Sequence, residues 1–143
     1  MVLNGIGINM KIDKKFCDLA ISLAKTSNHQ FRVGAVLVSK KDIISVGVNS
    51  TDKSHPLQKY YNDRCREFKV EIHNNIHAEM DAILKYRRMR IDIPKLKIFI
   101  ARINKNGIIV PGYPCPSCSA LLNDNSVNTI IYSTSDGFDY EQN

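Results

Sequence analysis

Apolar residues recur at helical spacing through Phe16, Leu19, Ala20 and Leu23, with Asp13 placed before them as a cap. The pattern predicts a helix over about Lys14–Thr26, stopped near Asn28. Two runs then follow with almost no polar interruption, Val33–Val38 and Ile43–Val48. They read as strands joined by a turn at Lys40-Lys41-Asp42, and their two-sided apolar character predicts central positions in a sheet. Leu96–Ile103 is a further strand. Asn106-Gly107 is a hairpin signal leading into Ile108–Val110, and Asn128–Ser133 is the last clear strand.

Helical spacing returns twice more. His77–Arg90 carries Ala78, Ala82, Ile83 and Tyr86 on one face, and Pro94 follows as a stop. Pro114 precedes a helix expected over about Cys115–Asn123. The order of elements predicts an α/β fold, a sandwich built on a mixed sheet. One segment, residues 49–76, lacks a clear period and is rich in Asn, Asp, Lys and His. A stretch of that length inside a compact domain is usually functional, and its middle, Leu57–Phe68, is expected to form a short helix.

Length and composition narrow the picture only slightly. With 143 residues, the chain is expected to be a single domain over 1–143, the insert at about 49–76 included. No run approaches the ~20 apolar residues of a membrane span. Residues 1–10 do not read as a secretory signal, so a cytoplasmic location is expected. In that setting the four cysteines point to metal or redox use rather than cross-links. The formal charge of +6 suits an anionic partner, a nucleotide or a nucleic acid.

The chemistry sits in two short motifs, His77-Ala78-Glu79 and Pro114-Cys115-Pro116-Ser117-Cys118. A structural zinc is closed by four protein ligands, whereas a catalytic zinc keeps three and leaves the last position to water. Cys115 and Cys118, three apart at a helix start, project to one side, and a helix start favours the thiolate form that binds metal. His77 also stands at a helix start. Glu79 is turned ~200° from His77 in an ideal helix, so it is spare and free to move a proton. A closed structural site completed by Cys17, Cys65, His55 or His73 is the competing arrangement, and a redox Cys-x-x-Cys is a second. Cys17 reads as core.

These motifs resemble those of the cytidine deaminase superfamily. Val33-Gly34-Ala35-Val36, Gly47-Val48-Asn49, His77-Ala78-Glu79, the Pro114–Cys118 stretch and Ile130-Ile131-Tyr132 occur in the family's order. The resemblance implies a three-layer α/β/α sandwich with a mixed, mostly five-stranded sheet. It also implies zinc held by His77, Cys115 and Cys118, with Glu79 as proton shuttle. Asn49 would contact the substrate sugar, the Ala78 backbone would read the base, and Pro114 with Cys115 would frame the leaving amine. The implied reaction is hydrolysis at C4 of cytosine with loss of ammonia.

The His-Cys-Cys set resembles deoxycytidylate deaminases, tRNA adenosine deaminases and AID/APOBEC-type enzymes. The insert resembles that of deoxycytidylate deaminases, phage-encoded ones included, some of which bind a second zinc there. Cys65 and His73 are the candidates for such a site. The expected substrate is a free cytosine nucleotide, dCMP converted to dUMP. Deamination within single-stranded DNA or tRNA is the alternative, and a non-catalytic zinc-stabilised binding module is a third reading. Relatives are often homo-oligomers, so the same is expected here.

Overall fold

The computed structural model describes residues 10–65 and 74–142. The first helix, α1 (Met10–Ala24), begins before Asp13, which therefore lies within the helix rather than capping it. The Met10-Lys11-Ile12 stretch holds no breaker, so helix propagates upstream of the polar residue.

A hairpin of β1 (Arg32–Ser39) and β2 (Asp42–Val48) follows, turned at Lys40 with φ 56°. The insert contributes α2 (Pro56–Arg64), with Cys65 as its C-cap residue, and the last three residues of the expected helix, 66–68, lie outside the described residues. Its two arms are pinned together, since the Ile76 N–H donates to Lys53 O and the Ser50 N–H donates to Ile76 O. Next come α3 (Ala78–Arg88), β3 (Leu96–Ile103), β4 (Ile109–Val110), α4 (Pro116–Asp124), β5 (Val127–Thr134) and β6 (Gly137–Gln142). Among the described residues, no helix is long and apolar enough to cross a membrane.

One mixed sheet runs in the order β2-β1-β3-β5-β6, with the two-residue β4 paired to the end of β3. The β3–β5 pair is parallel and the others are antiparallel. Two sequence expectations change here. The second apolar run, β2, is an edge strand, and its outer end is open enough to leave Ile43 45% exposed. The strand β6, which follows the last predicted one, is polar in composition. Only Phe138 and Tyr140 alternate toward the core, too weak a period to read in advance.

Strand alternation divides the core into two layers. Val36, Val38, Phe99, Ala101 and Ile131 pack under α1 with Phe16, Cys17 and Ala20. Ala35, Leu37, Ile98, Ile100 and Ile130 face α3 and α4 instead. The result is the α/β/α sandwich expected.

Two glycines allow helix and sheet to approach closely. A Cβ on Gly34 would lie 2.2 Å from Ala20 O of α1. A Cβ on Gly47 would lie 2.1 Å from Ala78 O, at the start of α3. The second contact matters for function because it fixes the helix start that follows His77.

Candidate metal centre and active site

Two helices begin at the same end of the sheet, each with a candidate ligand at its N-cap position. His77 occupies that position for α3 and Cys115 for α4, and neither side chain caps its helix. Both are therefore available for other bonds. Pro116 takes the first helical position of α4, where a missing N–H costs little. Cys118 follows one turn on and is almost fully buried.

The three side chains converge. His77 Nδ1 lies 3.3 Å from Cys118 Sγ and 3.6 Å from Cys115 Sγ. The three donor atoms all lie within 4.8 Å of one another. A tetrahedral zinc with ordinary bond lengths would set its nitrogen–sulfur edges at about 3.5–3.6 Å. One imidazole and two sulfurs at that spacing fit zinc in both geometry and donor chemistry. Among the described residues this is the single cluster of three such groups.

Among the described residues, the competing fourth ligands lie elsewhere. Cys17 lies on α1, in the core layer on the opposite face of the sheet. His55 caps α2, its Nδ1 accepting the Leu57 N–H at 3.0 Å. Cys65 is the C-cap residue of the same helix, and its N–H donates to Tyr61 O. His73, the other residue expected at a second metal site, lies outside the described residues.

Electrostatics tie the cluster together. Burial alone would lower the His77 pKa, but the bond to Cys115 and the charges of Glu79 and Cys115 outweigh it and raise it. Hydrogen bonding from Cys118 and then His77 pulls the Cys115 thiol down to about 4. Its partner Cys118 is pushed well up, by the bond to Cys115 and by burial. Cys115 is thus the ready thiolate, while Cys118 holds a proton that a cation must displace. Metal uptake at such a site depends on pH.

Glu79, in the first turn of α3, is buried and belongs to the same cavity as His77 and Cys115. Burial, followed by the Cys115 charge, raises its pKa. It is not part of the three-donor cluster, as its helical position predicts. The cavity has a volume of about 270 Å³.

Asn49 and Ala78 line this cavity too, whereas Pro114 is buried and does not. Most of the bonding capacity of Asn49 is spent on the backbone. Its Oδ1 accepts from Val33 N–H at 2.9 Å and from Ser27 Oγ at 2.6 Å, and its Nδ2 donates to Phe31 O. One amide hydrogen remains for a ligand.

Several residues of the site carried no signal in the sequence. Gln58 of α2 is fully buried, and its Oε1 accepts the His77 N–H at 3.0 Å. His29, Phe31, Arg102 and Tyr113 line the cavity and are isolated residues with no motif around them. Only the fold brings them together. The hairpin from β3 to α4 is held down by Ser133, whose Oγ accepts the Arg102 N–H and donates to Val110 O.

Comparison with known proteins agrees with this architecture. Residues 10–134 match the cytidine and deoxycytidylate deaminase zinc-binding region. The dCMP deaminase of cyanophage S-TIM5 shares the fold with a TM-score of 0.61 at 20% identity, over 87% of this chain and 84% of that one. A cytidine deaminase from Burkholderia pseudomallei gives 0.59 at 14% identity, over 90% of this chain and 91% of that one. A Thermotoga maritima diaminohydroxyphosphoribosylaminopyrimidine deaminase/reductase gives 0.52 at 23% identity, over 85% of this chain but 29% of that one. A search of curated proteins returns no match. With the family match spanning most of its length and the three-donor cluster in place, the chain is an enzyme of the cytidine and deoxycytidylate deaminase family.

Proposed function

We propose that this enzyme hydrolyses the exocyclic amine of a cytosine nucleotide, converting dCMP to dUMP and ammonia. The observation that carries the reading is a buried carboxyl group, Glu79, in one cavity with two of the three metal-donor residues. His77 Nδ1, Cys115 Sγ and Cys118 Sγ would hold the zinc. When bound, zinc supplies Lewis acidity, which makes water a nucleophile near neutral pH.

Glu79 handles the protons. It accepts one from the attacking water and passes it to ring N3 as oxygen adds at C4. The carboxylate then takes the proton of the new C4 hydroxyl and delivers it to the departing amine, so that the C4–N4 bond breaks, C4 becomes a carbonyl and ammonia leaves. A raised pKa suits a group that must both take and return a proton. Asn49 offers its remaining amide hydrogen to the sugar, the backbone of Ala78 reads the base edge, and Cys115 frames the amine, with Pro114 buried next to it.

The test is direct. Zinc-loaded protein is incubated with dCMP, CMP and deoxycytidine while ammonia release is followed. Turnover of dCMP is expected. A folded, zinc-loaded protein that deaminates none of the three overturns the reading. The +6 charge supports a second substrate class, cytosine or adenine within a single strand or tRNA. That reading requires oligonucleotide binding that weakens steeply with salt.

A further inference from the structure

We propose that Arg102 is the phosphate-reading residue of the cavity, selecting a nucleoside monophosphate over the bare nucleoside. The inference rests on the deaminase reading of the same site and adds the substrate's charged end to it.

Arg102 lies near the end of β3, on the sheet face shared with Ile98 and Ile100, and so on the side of α3 and α4. Among the described residues lining the cavity it is the one Lys or Arg. Its guanidinium carbon sits 4.8 Å from the centre of the Phe31 ring. That stacking holds the planar group in place without using its hydrogen-bond donors.

Nothing on the described protein surface answers its charge. Arg102 takes part in none of the ion pairs among the described residues. Its Nε is buried and makes no hydrogen bond. A buried N–H of an ionised group is costly to leave unmatched. Glu141, an acid tied to the cavity wall, is already engaged, accepting the Tyr113 hydroxyl at 2.8 Å.

A fork-shaped cation, stacked on an aromatic ring and in no ion pair among the described residues, is the chemistry that receives a phosphate. Arg102 lines the same cavity as Glu79 and Cys115.

Binding of products tests this without turnover. Calorimetry on the zinc-loaded protein compares dUMP, deoxyuridine and a short single-stranded oligonucleotide containing deoxyuridine. Tighter binding of dUMP than deoxyuridine, by about ten- to a hundredfold, is expected from one charge-assisted contact. Arg102→Gln should erase most of that ratio, and Arg102→Lys should leave an intermediate one. The ratio of kcat/KM for dCMP over deoxycytidine should fall in parallel, mainly through KM.

Equal binding of dUMP and deoxyuridine by the unaltered protein overturns the proposal, whatever the variants do. So does an Arg102→Gln protein that keeps the dUMP preference. An oligonucleotide that binds more tightly than dUMP reassigns Arg102 to a strand phosphate and overturns the mononucleotide assignment. Lack of turnover on every cytosine compound, with the dUMP preference intact, counts against deamination and leaves the phosphate assignment standing.

Discussion

Gln58 and His77 are joined by one partly buried hydrogen bond, the His77 N–H donating to Gln58 Oε1 at 3.0 Å. The amide of Gln58 is itself held, donating to Asn62 Oδ1 at 2.9 Å, and Asn62 donates to Asn74 Oδ1 at 3.1 Å. A chain of amides thus runs from the insert to the backbone of a metal-donor residue. Gln58→Leu should leave the His77 N–H unmatched, at a cost of about 1–3 kcal/mol in stability. Zinc affinity should weaken by about 10–100-fold, as for other residues that orient ligands. Chelator competition and urea unfolding measure the two effects. Unchanged zinc affinity would reduce Gln58 to a packing role.

Glu79→Gln keeps the shape of the side chain and matches the neutral form that burial favours. Fold and zinc content should therefore persist. Deamination should slow by roughly 10²–10⁴-fold, the usual effect of losing a general acid–base group. A variant with full activity would remove Glu79 from the chemistry.

Metal analysis of the purified protein should find zinc, and Cys115→Ser should lose it. A ligand that binds only the folded state adds stability in proportion to its affinity. Chelation should accordingly lower the melting temperature of the natural protein and have little effect on the variant. Equal melting shifts in both would place the metal elsewhere.

Gly47→Ala tests the approach of α3 to β2. The added Cβ would meet Ala78 O at 2.1 Å and Ala82 N at 2.6 Å, both backbone atoms that cannot swing aside. A loss of about 1–3 kcal/mol or more is expected. Because the clash falls on the first turn after His77, zinc affinity should drop with it. Denaturant unfolding and metal titration read the two together.

Asp124 on α4 links the insert to that helix. It accepts from Tyr61 Oη at 2.8 Å and Arg64 Nη1 at 2.6 Å, and these bonds hold its carboxyl below the usual range. A carboxyl with a lowered folded pKa contributes stability above its unfolded value. That contribution fades as pH falls through the folded value. Asp124→Asn keeps an acceptor for Tyr61 but removes the charge, so part of the acid-side loss of stability should disappear. Urea midpoints measured from pH 7 down to pH 3 check the slope.

The cluster of His77, Cys115 and Cys118 was legible because its chemistry is local. His77 with Glu79, and Cys115 with Cys118, each sit within one helical turn, where spacing decides which side chains can meet. The central strands were legible for a similar reason, since Val33–Val38 is apolar throughout and Leu96–Ile103 is broken only by Lys97 and Arg102. What escaped depends on contacts distant along the chain. Gln58 looks like any polar residue of an exposed helix until His77 folds against it. Arg102 looks like a charge ending a strand until Phe31 and the cavity close around it. The edge position of β2 also follows from pairing order, which an apolar run does not encode.

Ser133 has a consequence for how this chain can vary. Its backbone carbonyl accepts the Gly112 N–H at 2.9 Å, while Asn104 Oδ1 closes the hairpin by accepting the Asn106 and Ile108 N–H groups. Both legs of the excursion between β3 and α4 are anchored, and the crest at Lys105–Gly107 stands open to solvent. Residues could be added or lost at that crest without carrying Cys115 away from His77. Growth of the loop and preservation of the chemistry are thereby uncoupled.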